Sequence, residues 1–207
     1  MVASADEVSR LIDDIRRCRI CRDTPVGAPL PHEPRPVVQV DRSARLLIAG
    51  QAPGTRVHAS GRPFTDPSGD RLRQWLGIGE DVFYDQSKVA IVPMGFCFPG
   101  LDARGGDLPP RGECAPQWRA QVMAQLPHLG LVLTIGQYAQ RWHLGGRRKA
   151  SLTQTVASWR ELFETLDPPV LPLPHPSWRN TGWLKKNPWF EAETVPVLQR
   201  EVARLLG

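Results

Sequence analysis

Four cysteines and one histidine segment are the side chains best suited to chemistry in this sequence. Cys18 and Cys21 form a C-x2-C pair, and Cys97 and Cys114 stand alone far downstream, which leaves no cysteine over. In a reducing compartment disulfides are disfavoured, so one close pair plus two distant thiols suggests a four-thiolate site for zinc or an iron-sulfur cluster. Structural zinc sites more often use two close pairs, so the spacing leans toward a [4Fe-4S] cluster; four unrelated buried thiols are the plain alternative. A second constellation is GQAPGTRVHASGRPFTDPSGDRL, starting at Gly50. Gly50 and Gly54 allow close backbone approach to a ligand, Gln51 offers an amide, and Asp66 and Asp70 offer carboxylates. No Lys follows the glycines, so this is not a P-loop. Near the end lies His175-Pro176-Ser177, where a lone His is read as structural or catalytic only by its company.

The elements that must position these groups can be read from periodicity. Ser4 and Glu7 have capping-box spacing, and Val8, Leu11, Ile12 and Ile15 then mark one helical stripe. Five prolines between Asp23 and Val40 make that stretch a connecting loop. Short apolar runs at 44–49, 88–92, 129–135 and 169–173 are expected strands, and three of them end in polar segments: Gly50 to Gly69, Pro93 to Cys114 and Pro174 to Lys186. Helices are expected after Ser68 as cap, with Leu72, Trp75 and Leu76 on one face; over Ala115 to Leu126; through Trp142 until Gly145-Gly146; and after Asn187 as cap with Pro188 first. Alternating strands and helices predict a three-layer α/β/α sandwich around a mostly parallel four-stranded sheet, built as one domain over 1–207. Ligands bind outside the carboxyl ends of such strands, so the three polar segments should converge on one cleft.

Composition narrows the partners. The 207 residues, 41% hydrophobic and 23% charged, exclude collagen-like, coiled-coil and disordered classes. Apolar runs are too short to span a bilayer and the N-terminal residues lack a signal-peptide pattern, so a cytoplasmic protein with no membrane partner is expected. The net charge is +5, and 22 of the 26 basic residues are arginine, whose forks suit phosphates. Between Cys114 and Arg160 there is no acidic residue, while Arg119, Arg141, Arg147, Arg148, Lys149 and Arg160 fall there; Arg179, Lys185 and Lys186 are the only charges from Pro168 to Phe190. These stretches read as one anion-facing surface or as a solvated basic face.

Taken together, the cysteine spacing, GQAPG…GRPFTDPSGD and HPSWRNTGWL resemble the uracil-DNA glycosylase superfamily, specifically its iron-sulfur families four and five. The resemblance implies that Cys18, Cys21, Cys97 and Cys114 hold a [4Fe-4S] cluster, with zinc the lesser choice. It also implies that Gly50, Gln51, Ala52, Pro53 and Gly54 form the first motif against the base, and that His175 belongs to the last. Family four has a catalytic Glu where this chain has Gln51, which cannot act as a base. Family five instead resembles the stretch carrying Asp66, so the catalytic carboxylate is carried to Asp66; its plain reading is a turn residue capping the next helix. Phe64 matches the aromatic that stacks on the base, its plain role being core packing. Pro93 stands where the family has a base-reading Asn, which points to a broadened base range. Ser177, Arg179 and Asn180 would contact DNA phosphates, and Trp178 and Trp183 would wedge or pack. The implied activity is hydrolysis of the bond between sugar and uracil, or another deaminated base, in DNA by a monomeric repair enzyme. The alternatives are a catalytically weak nucleic-acid-binding protein on the same fold, and covalent capture of the sugar by His175.

Overall fold

The computed structural model describes residues 5–207; Ser4, the expected partner in the first capping box, lies outside them. Helices α1 (Ala5–Arg16) and α2 (Ile20–Asp23) precede β1 (Leu46–Ala49). Then come α3 (Thr55–Ser60), α4 (Pro67–Leu76), α5 (Glu80–Phe83), β2 (Val89–Ile91), α6 (Cys114–Ala124), β3 (Leu131–Ile135) and α7 (Gly136–Leu144). The chain ends with α8 (Leu152–Ala157), α9 (Trp159–Thr165), β4 (Val170–Leu173), α10 (Thr181–Lys186) and α11 (Val195–Leu206). The four strands form one all-parallel sheet in the order β2-β1-β3-β4.

Alternation along each strand builds two cores. Leu46, Ile48, Leu131, Leu133, Leu171 and Leu173 face one side with Leu72 and Trp75 of α4 and Leu198 and Val202 of α11. Leu47, Ala90, Val132 and Val170 face the other with Ile12 and Ile15 of α1, Val122 of α6 and Leu144 of α7. Every strand residue is buried, which is why the strands read as continuous apolar runs. This is the expected three-layer α/β/α architecture. The proline-rich segment stays irregular but covers the free edge of β2, where Gln39 exchanges two backbone hydrogen bonds with Ile91 at 2.9 and 2.8 Å.

Two expected helix starts are corrected. Asp66, not Ser68, caps α4, because Pro67 supplies a preset first turn and the Asp66 side chain accepts from the backbone N–H of Ser68 and Gly69. Asn187-Pro188 does not open the last helix directly: a π-helical stretch, Phe190–Thr194, intervenes before α11. Pro196 sits in the first turn of α11 and has no N–H to give to the carbonyl four residues earlier, so the wider π turn accommodates its ring. Helices α2, α3, α5, α8, α9 and α10 are short elements that periodicity did not reveal. Among the described residues no helix is long and apolar enough to cross a membrane.

Candidate functional site

The loop that follows β1 turns sharply away from the sheet. Its carbonyls at Gly50 and Gln51 accept the N–H groups of Met94 and Gly95 at 3.0 and 2.9 Å, which ties the ends of β1 and β2 together. Above these ends lies a pocket with about 560 Å³ of empty space, mouth included, lined by Gly50 to Gly54, Phe64, Asp66, Pro93, Asp107 and His175 among others. All three polar segments therefore meet at the carboxyl edge of the sheet, as the fold class requires.

Phe64 forms one wall through an unusual backbone. It is the one described residue other than glycine with a positive φ, 54°. Tyr84 holds it there by donating its hydroxyl to the carbonyls of Pro63 at 2.9 Å and Phe64 at 3.2 Å. The first turn of α4 presses against the same carbonyl: a Cβ on Gly69 would lie 1.9 Å from the Phe64 oxygen, so no other residue fits there. The ring lies over Gly50, where a Cβ would come to 3.7 Å from Cζ, and meets Phe83 edge-on with centroids 5.9 Å apart. Its half-buried face toward the pocket is what a flat ligand would stack on.

Asp66 and His175 arrive from opposite ends of the sequence. Oδ1 of Asp66 accepts the backbone N–H of Ser68 at 3.1 Å and of Gly69 at 3.2 Å, together with the Ser68 hydroxyl. Among the described residues these are the only hydrogen bonds of its carboxylate, so Oδ2 is unengaged. Asp66 is thus the helix cap of the plain reading and a pocket carboxylate at once. His175 follows β4, and its Nδ1 accepts the Ser177 N–H at 3.2 Å while its carbonyl accepts the Asn180 amide at 2.8 Å. Burial pushes the imidazole's proton affinity down, opposed by the charge of Asp66. A neutral ring whose Nδ1 accepts must carry its proton on Nε2, which makes His175 a hydrogen-bond donor toward the pocket.

Asp107 is a pocket residue that sequence reasoning missed; its only signal was membership of the Pro93 to Cys114 segment. Burial raises its proton affinity, Arg179 lowers it, and Asp66 and Asp102 raise it further, for a net rise. Asp70, by contrast, turns away to pair with Arg73 at 2.6 Å and does not line the pocket.

The segment after β4 is built more for support than its polar sequence suggested. Ser177 caps a 3-10 turn by accepting from Arg179 N–H, and its carbonyl accepts from Arg71 at 3.1 Å. Asn180 holds the His175 backbone, and Arg179 donates to the Gly105 carbonyl at 3.3 Å beside the pocket mouth. Trp178 is 69% exposed, a large apolar side chain on the pocket edge of the sheet. Trp183 is corrected to a packing residue, since it donates to Thr153 at 2.8 Å and contacts Trp189 and Phe190 edge-on. Of the residues read as an anion-facing surface or a solvated basic face, one belongs to neither. Arg119 is fully buried, donating to the Val92 and Pro93 carbonyls at 2.9 and 3.0 Å, and Lys149 and Arg160 pair with Glu161 and Glu193.

A second cavity, of about 410 Å³ empty space, gathers Cys18, Cys21, Cys97 and Cys114 with Arg111, Glu113 and Trp118. All four thiols are free. Two N–H donors already aim at sulfur: Phe96 backbone to Cys114 Sγ and the Trp118 indole to Cys18 Sγ, both at 3.3 Å. Burial pushes the Cys97 and Cys114 thiols up to about 12. Among the described residues no three His, Cys, Asp or Glu side chains converge closely enough to grip a single metal ion. The donor set and its N–H partners are those a thiolate-ligated cluster uses, so the residues fit such a group.

Every residue lining the upper pocket, from Val37 to His175, lies within 37–199, the stretch that matches the family model described as the uracil DNA glycosylase superfamily. That match takes in most of the chain and both pocket motifs, and so the protein belongs to the uracil DNA glycosylase superfamily.

Proposed function

We propose that this protein is a DNA-repair hydrolase that cleaves the N-glycosidic bond of uracil, and of other deaminated bases, to leave an abasic site. The observation that carries the reading is the meeting of Asp66 and His175, from the front and the back of the chain, in one pocket walled by Phe64 and the Gly50–Gly54 loop. Breaking a glycosidic bond develops positive charge on the sugar and negative charge on the leaving base. Asp66, through the oxygen not used in capping, would stabilise the sugar cation. His175, neutral with Nε2–H directed to the pocket, would donate to the base oxygen as its electron pair arrives. The target base must leave the stack to reach these groups, at about a few kcal/mol, and Phe64 recovers part of that by stacking. Pro93 lines the pocket where the family has a base-reading Asn, so the base edge loses a polar partner and the range of accepted bases widens; Gln51, in place of an acid, leaves the carboxylate role to Asp66.

Trp178, exposed three residues after His175, is the side chain suited to fill the gap left in the stack, and Ser177, Arg179 and Asn180 hold the loop that presents it. We assign the cysteine cavity to a [4Fe-4S] cluster held by Cys18, Cys21, Cys97 and Cys114. When bound, such a cluster would supply a structural tie; these residues join α2 and the segment after β2 to the start of α6, outside the pocket where bond cleavage occurs.

Oligonucleotides carrying one uracil, hypoxanthine or xanthine, single- and double-stranded, are incubated with the protein and abasic sites are then broken with alkali. Breaks at uracil are expected, and none on any substrate would reject the enzyme. That result would leave the reading of a weakly active DNA-binding protein, which Gln51 and Pro93 favour. A band that survives denaturing electrophoresis would instead indicate covalent capture by His175, which needs an unprotonated Nε2.

A further inference from the structure

We propose that Asp107 is a second catalytic carboxylate of this pocket: the base that takes a proton from the attacking water, while Asp66 lends its charge to the sugar. The inference rests on the glycosylase reading above and adds a residue to it. Four observations carry it.

First, Asp107 lines the same pocket as Asp66, His175 and Phe64, although it comes from a different segment. Second, its carboxylate lies directly against the first-motif loop: a Cβ on Gly54 would stand 3.4 Å from Oδ2 and 4.0 Å from Oδ1. A glycine at 54 leaves space between the two groups that a side chain would fill. Third, among the described residues no hydrogen bond or ion pair engages the Asp107 side chain. Asp66 has Oδ1 committed to three donors, and Asp102 has its Oδ1 committed to Arg104 and Gly106 N–H, both at 2.8 Å. Asp107 is itself exposed, so both carboxylate oxygens are open to a water or substrate entering the pocket.

Fourth, the chain builds a rigid arm to present it. Leu101 and Asp107 bridge in antiparallel fashion, Asp102 N–H donates to Gly106 at 2.7 Å, and the Asp102 side chain closes the turn. Arg179, from beyond β4, pins the tip through Gly105. The charged groups facing Asp107 are Arg179, Asp66 and Asp102; burial and the two acids outweigh the arginine, so its proton affinity rises. A more basic carboxylate is the better proton acceptor at neutral pH, and two acids in unlike environments divide the roles.

In the step assigned, the water oxygen bonds to the sugar C1′ as the C1′–N bond breaks, and the bonding pair leaves with the base. Asp107 takes one proton of that water, leaving a hydroxyl on C1′. The proton then passes to the base anion, held by His175 Nε2–H, which leaves as the neutral base.

The test is single-turnover cleavage of a uracil-containing duplex by the full chain, its D107N and D107E variants, and D66N, each over a range of pH, with affinity measured by fluorescence anisotropy and folding by thermal unfolding. D107N is expected to bind within about threefold of the parent and to lose roughly 10²–10⁴-fold in rate. The acidic limb of the parent's rate profile is expected to move in D107N, since the Asp107 carboxylate no longer contributes to it, and D107E to recover part of the rate, which also guards against a folding defect in D107N. Cleavage by D107N within threefold of the parent, or an unchanged acidic limb, would overturn the role of Asp107 and leave the glycosylase reading standing. A parent protein that cleaves no base in any strand context would overturn both.

Discussion

Asp66 carries two duties that one pair of substitutions can separate. As N-cap of α4 it satisfies the backbone N–H groups of Ser68 and Gly69, both buried residues, and it holds the Ser68 hydroxyl. Replacing it with Asn keeps a side-chain oxygen that caps as well as Asp does, so only the interaction of charge with the helix dipole is lost, roughly 0.3–1 kcal/mol. Replacing it with Ala removes the cap as well and leaves the buried Ser68 N–H unpaired, while Gly69 N–H keeps the Asp66 carbonyl at 2.8 Å, for a total near the top of the capping range, about 2 kcal/mol. For a chain of this size each kcal/mol moves the melting temperature by about 2–4 °C. D66A should therefore melt about 4–8 °C lower, and D66N no more than about 4 °C lower. Activity should follow charge and not stability: both variants should lose about 10²–10⁴-fold in single-turnover cleavage, D66N as much as D66A. Thermal unfolding and the alkali-break assay on the same preparations decide it. A D66N protein with full activity would refute the assignment of Asp66 to the sugar, and a D66A protein as stable as the parent would refute its role as cap.

Other consequences can be checked independently. Gly69→Ala would force the Phe64 carbonyl away from a Cβ that otherwise lies 1.9 Å from it, so the Phe64 wall should shift; loss of base cleavage with DNA affinity largely kept is expected. Half-buried His143, which meets Arg119 at 2.5 Å, has its proton affinity pushed down to about 3 by desolvation and by that arginine. The unfolded chain protonates His143 below about 6.5 while the folded chain holds it neutral, so stability is full above 6.5 and falls as pH drops from there toward 3. Melting curves across that window should show the loss, and His143→Gln should flatten it. Freshly isolated protein should contain about four iron atoms per chain with broad visible absorbance, and Cys97→Ser should lose both and lower the melting temperature; a colourless, iron-free parent would reject the cluster.

Periodicity and turn chemistry were enough to lay out this protein's frame. Runs of buried residues marked the four strands because a parallel sheet covered on both faces leaves no polar alternation, and chain order then put three polar segments at one edge. The pairing of Asp66 with His175 was legible for the same reason, since each follows a strand or the loop after it. What only the tertiary structure decided depends on approach between segments distant in sequence. Asp107 carries no local signal; it becomes a pocket residue because a hairpin pinned by Arg179 leans over Gly54. Arg119 and Trp183 look in sequence like members of a DNA-facing surface. Packing instead buries Arg119 against two carbonyls and turns Trp183 to Thr153 and its aromatic neighbours. Residue type limits what a side chain can do, but desolvation and the partners within reach select what it does, and those are properties of the packed chain.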